Sequence, residues 1–233
     1  MSTAQDTVFS SPELLELILS HLSMRDLLCT APLVSKTWQA TTKSPSLQRI
    51  LFFESDPSAD PSDPAQNPLL AELFSPFLAR LERQNPSVYH WPGRTASIKA
   101  MPWANNPDAF RRVGASWRRM LVTQPSVRTL TVKYVTSGSA GSSSLWARMS
   151  DLSLRMGYLY DLVLPLTQDG VWFWVDWHDA GPGREYNSEI TLHLWKPISW
   201  VVDDDEHVQR DRTFESEEMQ IVEIPFSPKC SSG

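Results

Sequence analysis

The sequence has little cysteine and no long hydrophobic run. Only Cys29 and Cys230 occur, which is too few for a secreted disulfide framework, and no paired C-x-x-C zinc spacing exists. No Asn-x-Ser/Thr glycosylation acceptor is present. The first twenty residues lack the basic and apolar regions of a signal peptide, and no run approaches the roughly 18 uncharged apolar residues of a membrane span. We therefore expect a cytoplasmic or nuclear protein that does not act on membranes.

Positive charge is in the minority. Lys and Arg number 21 against 27 Asp and Glu, for a formal net charge of -6. Nucleic acids and anionic membranes bind cationic faces, so this balance argues against both as partners. In contrast, 41% hydrophobic residues and ten tryptophans exclude wholesale disorder. A chain of 233 residues is long enough for a small module and a larger domain.

Motifs of catalysis are also missing. The sequence contains no G-x-S-x-G, no H-E-x-x-H and no phosphate-binding G-x-x-x-x-G-K-[ST]. Asp176, His178, Asp179 and His193 carry metal-donor atoms, but a polar strand end is the simpler interpretation of them. We therefore predict no catalytic residue, no metal and no cofactor.

Four arginines are further candidate binding residues. Arg111, Arg112, Arg118 and Arg119 lie on a predicted helix over 110–122, with members two turns apart. Guanidinium groups suit phosphate or carboxylate, which would fit a phosphorylated target. The favoured alternative is an exposed helix face paired with acidic residues such as the run 203–206.

Composition divides the chain into three parts. Residues 8–52 are rich in leucine, residues 53–68 in proline and aspartate, and residues 69–226 in aromatic side chains. Within the middle part, four closely spaced prolines disfavour both helix and sheet, and the carboxylates repel one another. This composition predicts an extended, solvated linker between two domains.

Local start signals predict short helices in the leucine-rich part. Ser10 with Glu13 and Ser23 with Asp26 have capping-box spacing, and a further Ser-Pro start signal occurs at residue 44. Three to four helices follow, one of them carrying both Val34 and Trp38. Six of residues 13–22 are Leu or Ile, which exceeds what one core-facing stripe needs. The excess predicts a second buried surface, formed with a partner.

Ordered segments of this part carry a family resemblance. They are Phe9-Ser-Ser-Pro-Glu-Leu-Leu, Arg25-Asp-Leu-Leu, Leu33-Val-Ser-Lys-Thr-Trp and Ser44-Pro-Ser-Leu-Gln. In this order and spacing they resemble the F-box motif over about 45 residues. The sequence departs from the usual motif at Ser11, where leucine is typical, and at Ser23, where proline is common.

The resemblance implies a three-helix F-box that docks on the Skp-type adaptor of an SCF (Skp–cullin–F-box) ubiquitin ligase, and through it on cullin and RING subunits. The chain would then be a non-catalytic substrate receptor whose C-terminal domain binds an unknown protein target. Carried over by position, the adaptor-facing residues would be Pro12, Leu14, Leu15, Ile18, Leu22, Leu27, Leu28, Val34 and Trp38.

A looser resemblance links the rest of the chain to fungal F-box proteins. It rests on the segments 67–70, 117–125 and 156–162. No mechanism accompanies this second resemblance.

The C-terminal part has the patterns of an α+β domain. Helical spacing favours helices over 69–83, 110–122 and 142–156, whereas residues 127–135, 171–177 and 189–195 are typical of strands. We predict helices followed by an antiparallel sheet. Its tryptophans are the preferred target-binding residues, namely Trp172, Trp174, Trp177 and Trp195, with a strand buried on both faces as the alternative.

Three other interpretations stay open. The protein could act with the adaptor alone, as a scaffold outside any ligase. The C-terminal domain could be an enzyme that depends on His178 or His193, with the F-box as an address. Finally, the leucines could close a self-contained helical core that binds no partner.

Overall fold

The protein is described by a computed structural model. The structure describes residues 11–61, 63–79, 107–138, 141–150, 153–169, 171–177, 189–197 and 221–223. Among these residues no helix is both long and apolar enough to span a membrane.

Short helices make up the N-terminal part. They are α1 (Pro12–Ser20), α2 (Met24–Cys29), α3 (Ala31–Val34), α4 (Lys36–Thr41) and α5 (Pro45–Ile50). Serine caps start most of them, as the sequence predicts: the Ser23 Oγ accepts from the Asp26 N–H at 3.1 Å, and the Ser44 Oγ accepts from the Leu47 N–H at 3.5 Å.

Two details of these helices differ from the prediction. The cap of α1 is Ser11, whose Oγ accepts from the Leu14 N–H, and not Ser10, which lies outside the described residues. Val34 and Trp38 do not share a helix, because Ser35 is extended between them and caps α4. The unit therefore has one helical segment more than predicted.

The C-terminal part combines helices with two sheets. In chain order its elements are β1 (Ala65–Gln66), α6 (Pro68–Leu73), α7 (Ser75–Leu78), α8 (Pro107–Arg111), α9 (Ser116–Arg119), β2 (Thr123–Gln124), β3 (Thr129–Gly138), β4 (Gly141–Met149), α10 (Met156–Val163), a 3-10 helix (Leu164–Asp169), β5 (Trp172–Trp177), β6 (Glu189–Pro197) and β7 (Ile221–Glu223). The predicted α+β class is confirmed.

The main sheet has the strand order β5-β6-β3-β4-β7. The pairs β3–β4 and β5–β6 are antiparallel, as predicted, but β3–β6 and β4–β7 are parallel. The sheet is therefore mixed. Strands β1 and β2 form a separate antiparallel pair.

Two predicted helices are wrong. Residues 141–149 form β4, in which Leu145 and Met149 lie on the same face as Ala147. A spacing of four residues fits the strand period as well as the helix period. The helix expected over 110–122 breaks into α8 and α9, and the chain enters β2 at Thr123.

One face of the main sheet is buried under helices and carries the larger core. Leu130 of β3, Phe173 of β5 and Leu192 of β6 point into it, and Phe74, Trp117 and other side chains of the helical layer meet them there. The Phe77 ring of α7 lies 4.5 Å from the Phe173 ring, centroid to centroid. We call this face inner and the opposite face outer.

A smaller core holds the N-terminal helices together. Its buried residues are Leu15, Leu19, Leu27, Ala31, Leu47 and Leu51. Leu28 and Phe53 pack against both cores. The two parts of the chain are therefore in direct apolar contact.

Backbone hydrogen bonds reinforce that contact. The Leu121 N–H donates to the Phe52 carbonyl at 2.7 Å, and the Arg155 guanidinium donates to the Phe53 carbonyl at 3.3 Å. The buried Gln124 amide donates to two further carbonyls of the same stretch. We call these contacts the seam.

Both ends of the predicted linker 53–68 differ from an extended, solvated chain. Phe53 packs in the seam, Gln66 pairs with Thr123, and Asn67 is fully buried. Pro68 is the first residue of α6, where its missing N–H has no cost. Between these ends the chain makes turns, one of them held by Asp56, whose carboxylate accepts from the Ser58 N–H at 2.9 Å.

Candidate functional site

Helix α1 is apolar on two sides. Leu15 and Leu19 are fully buried in the smaller core, whereas Leu14, Leu17 and Ile18 are 45%, 60% and 39% exposed. The exposed three have the i, i+3, i+4 spacing that forms one stripe on a helix. The apolar residues of α1 that the core does not use therefore form a stripe that faces away from the core.

Helix α3 adds two exposed aliphatic side chains. Leu33 is 84% exposed and Val34 is also exposed, whereas Ala31 in the same helix is buried. We call Leu14, Leu17, Ile18, Leu33 and Val34 the exposed apolar set. Sequence reasoning omitted two of them. The position of Leu17 one turn after Leu14 could have identified it from the sequence. The exposure of Leu33, in contrast, depends on the helix break at Ser35.

The structure corrects the adaptor-facing residues inferred from the resemblance. Leu15 and Leu27 are buried in the smaller core, so a partner cannot contact them without unfolding the helices. Leu22, Leu28 and Trp38 are half-buried and pack against that core. The exposed ones are Pro12, Leu14, Ile18 and Val34.

The outer face of the main sheet carries the second candidate site. Register places Trp174, His193, Lys133 and Trp146 side by side in one row across β5, β6, β3 and β4. The Trp174 and His193 rings stack with centroids 4.6 Å apart and planes 4° apart. Lys133 Nζ lies 4.4 Å from the centroid of the Trp146 ring, which is a cation–π contact.

A neighbouring row continues the aromatic surface. Trp172 and Trp195 are register partners and meet edge to face, with centroids 5.9 Å apart. Trp177 does not belong to this surface: it points to the inner side, and its Nε1–H donates to the Phe77 carbonyl at 3.1 Å. The predicted target-binding set therefore loses Trp177. It gains Lys133 and Trp146, which sequence reasoning did not consider.

The metal-donor candidates are only partly described. His178 and Asp179 lie outside the described residues. Asp176 and His193 lie on adjacent strands in successive rows of the outer face, and the His193 ring is stacked on Trp174. Among the residues that the structure describes, no three ligating side chains come together.

The four arginines do not share one helix: α8 ends at Arg111, Arg112 follows it, and Arg118 and Arg119 lie on α9. Arg118 forms an ion pair with Asp161 and lies over the Trp117 ring at 5.2 Å. Arg119 lies over the Phe53 ring of the seam at 5.1 Å. Arg111 and Arg112 are exposed. The acidic run 203–206 lies outside the described residues, so the pairing expected with it stays a prediction.

Burial shifts three ionisable groups near these helices. It lowers the pKa of the Arg155 guanidinium, to which the neighbouring charge of Arg119 also contributes. Burial raises the pKa of the Tyr158 phenol. It also raises the pKa of the Tyr160 phenol, against the opposing effect of the cations Arg118 and Arg111. These groups belong to the structural layer between the seam and the inner face of the sheet.

Comparison with known proteins identifies the N-terminal helices. Residues 12–54 match the family model of the F-box-like domain. Residues 12–54 therefore form an F-box-like domain, which ends at Glu54, within the seam. No curated protein matches the chain, and no solved structure matches it. F-box domains are typically non-catalytic modules that generally bind Skp-type adaptors, so the domain supports a general F-box/SCF adaptor role.

Proposed function

We propose that this protein is a substrate receptor of an SCF-type ubiquitin ligase. The N-terminal helices bind a Skp-type adaptor, which links them to cullin and RING subunits, and the C-terminal domain binds a protein target. The chain itself performs no chemistry. It raises the effective concentration of the target beside the conjugating machinery. The proposal includes a cytoplasmic or nuclear location.

The stripe on α1 is the observation that carries this proposal. Leu14, Leu17 and Ile18 are exposed although Leu15 and Leu19 already fill the core on the other side of the helix. Desolvated aliphatic clusters of this kind form the centre of stable protein interfaces. A helix that only had to close its own core would not need them.

Co-expression of the full chain with a Skp-type adaptor tests the proposal. We expect a stoichiometric complex that the triple variant Leu14→Ser/Leu17→Ser/Ile18→Ser loses. A single truncated hot-spot residue costs about 2 kcal/mol, or about thirtyfold in affinity. Leu145→Ser is the matched control, because Leu145 is also an exposed leucine but lies on β4. An undiminished complex with the folded triple variant would refute the assigned surface.

A second measurement separates the ligase from a scaffold that acts with the adaptor alone. The purified complex is mixed with cullin, RING subunit, conjugating enzyme and ubiquitin, and proteins that co-purify with the receptor are followed. Ubiquitin transfer to one of them is expected. Stable adaptor binding without recruitment of cullin would favour the scaffold.

A further inference from the structure

The Lys133 ammonium group lies over the Trp146 indole ring at the centre of the outer sheet face. Lys133 has His193 beside it on β6 and Trp146 beside it on β4. The ion pairs among the described residues join Arg25 to Glu72, Arg118 to Asp161 and Arg148 to Glu189. Within the described part of the chain, no carboxylate therefore neutralises Lys133.

The neighbouring charges of this face are compensated or distant. The Arg148 guanidinium is 3.3 Å from a Glu189 carboxylate oxygen, and the other oxygen of that carboxylate accepts from the Thr131 hydroxyl at 2.9 Å. Asp176 lies on β5, two strands away from β3. Glu223 of β7 is the register partner of Arg148 and also lies two strands away from β3. Lys133 is thus a cation at the centre of the face, although the whole chain carries a net charge of -6. At contact range the local charge dominates, because salt screens the rest within about 8–10 Å.

Aromatic rings continue the row on both sides of this charge, with Trp146 on one side and His193 followed by Trp174 on the other. Trp172 is 43% exposed, and Trp174 and Trp146 are half-buried. The row from β5 to β4 crosses three strand spacings, which is about 14 Å. Four residues of an extended chain cover that length at about 3.3 Å each.

We propose that this outer face binds an extended segment of the target in which an acidic side chain lies between apolar ones. The carboxylate pairs with Lys133, and the apolar side chains pack on Trp174 and Trp146. This inference rests on the proposed function, in which the C-terminal domain binds the target. Binding that depends on the Lys133 charge should weaken as the salt concentration rises.

A random peptide display library, selected on the purified full chain without the adaptor, tests the chemistry of the occupant. We expect enriched sequences with Asp or Glu between aromatic or aliphatic residues, and the enrichment should disappear when Lys133→Gln replaces the wild-type chain. Enrichment of basic sequences, enrichment that is independent of residue 133, or no enrichment would each overturn the proposal.

Matched variants then locate the binding surface with one enriched peptide, synthesised and titrated by fluorescence anisotropy. Lys133→Gln and Trp174→Ala should each weaken binding by about fivefold or more. The controls are Lys196→Gln and Leu145→Ala, because register places both residues on the inner side of the sheet. They should leave the affinity within about twofold. Equal losses in the test and control variants would overturn the location.

The design also separates the two proposals. Adaptor binding is measured on the same samples, and it depends on α1 rather than on the sheet. Loss of adaptor binding in the wild-type chain with retained peptide binding would refute the SCF assignment and leave the peptide site intact. Adaptor binding without enrichment of any peptide would refute the peptide site and leave the SCF assignment intact.

Discussion

The Gln124 side chain on β2 donates from Nε2 to the carbonyl oxygen of Arg49 at the end of α5, over 2.8 Å. The same Nε2 donates to the Glu54 carbonyl at 2.9 Å. One side chain of the C-terminal domain therefore satisfies two acceptors at the end of the F-box. The F-box-like domain and the C-terminal domain are joined by specific hydrogen bonds and not only by the polypeptide chain.

Replacing Gln124 should therefore destabilise the whole chain. In Gln124→Ala both carbonyls lose a hydrogen-bond donor while the residues around position 124 stay packed. We therefore expect the free energy of unfolding to fall by about 2–3 kcal/mol. Urea denaturation followed by far-UV circular dichroism measures it. Gln39→Ala on the exposed side of α4 is the control and should change stability by less than about 0.5 kcal/mol. If the two variants were equally stable, the Gln124 hydrogen bonds across the seam would not contribute to stability.

Asn67 serves two elements at once. Its Oδ1 accepts from the Leu70 N–H at 3.1 Å and caps α6, and its Nδ2 donates to the Leu121 carbonyl at 3.3 Å. Because the residue is fully buried, Asn67→Ala should lower the free energy of unfolding by about 2–3 kcal/mol. Thermal unfolding would show Asn67→Ser less affected, since serine keeps a capping oxygen. If Ala and Ser were equally harmful, the cap would not be the cause.

Gly157 lies too close to α9 for a side chain. A Cβ there would be 2.8 Å from the Arg118 carbonyl oxygen and 2.9 Å from the Arg118 Cβ. Gly157→Ala should force α9 and α10 apart and cost about 1–3 kcal/mol. Gly114 is the matched control, because nothing lies within 4 Å of a Cβ at that position. Gly114→Ala should change the denaturation midpoint little, and an equal shift for both variants would contradict the predicted contact.

Local signals explain which helices the sequence predicts correctly. Serine caps and prolines in first turns act within four residues, so the starts of α2 and α5 follow directly from Ser23 and Ser44. The alternation in β3 is equally local, with Leu130 and Val132 inward and Lys133 outward. The confirmed α+β class rests on such segments.

Features that depend on distant partners could not be predicted. Residues 141–149 become a strand because they pair with β3, and the Lys133–Trp146 contact exists only in that register. The leucines of α1 are equally apolar, and only packing against α4 and α5 decides that Leu15 is buried and Leu14 exposed. Strand alternation alone could have separated Trp177 from Trp174, since they are three positions apart.

Alkaline pH should destabilise the protein through two buried phenols. Burial raises the pKa of both Tyr158 and Tyr160 above 10.0, so the folded state keeps their protons where the unfolded state releases them. Stability is fully present below about pH 10 and falls as the pH rises further, toward the raised pKa values. Urea midpoints at pH 8 and pH 10.5 measure the fall.

The double variant Tyr158→Phe/Tyr160→Phe isolates this effect. It lacks both phenols, so its urea midpoint should fall less between the two pH values than that of the wild-type chain. At pH 8 the variant should itself be slightly less stable, because Tyr158 donates its hydroxyl to the Met149 sulfur at 2.7 Å. An identical fall in both proteins would assign the alkaline sensitivity to other groups.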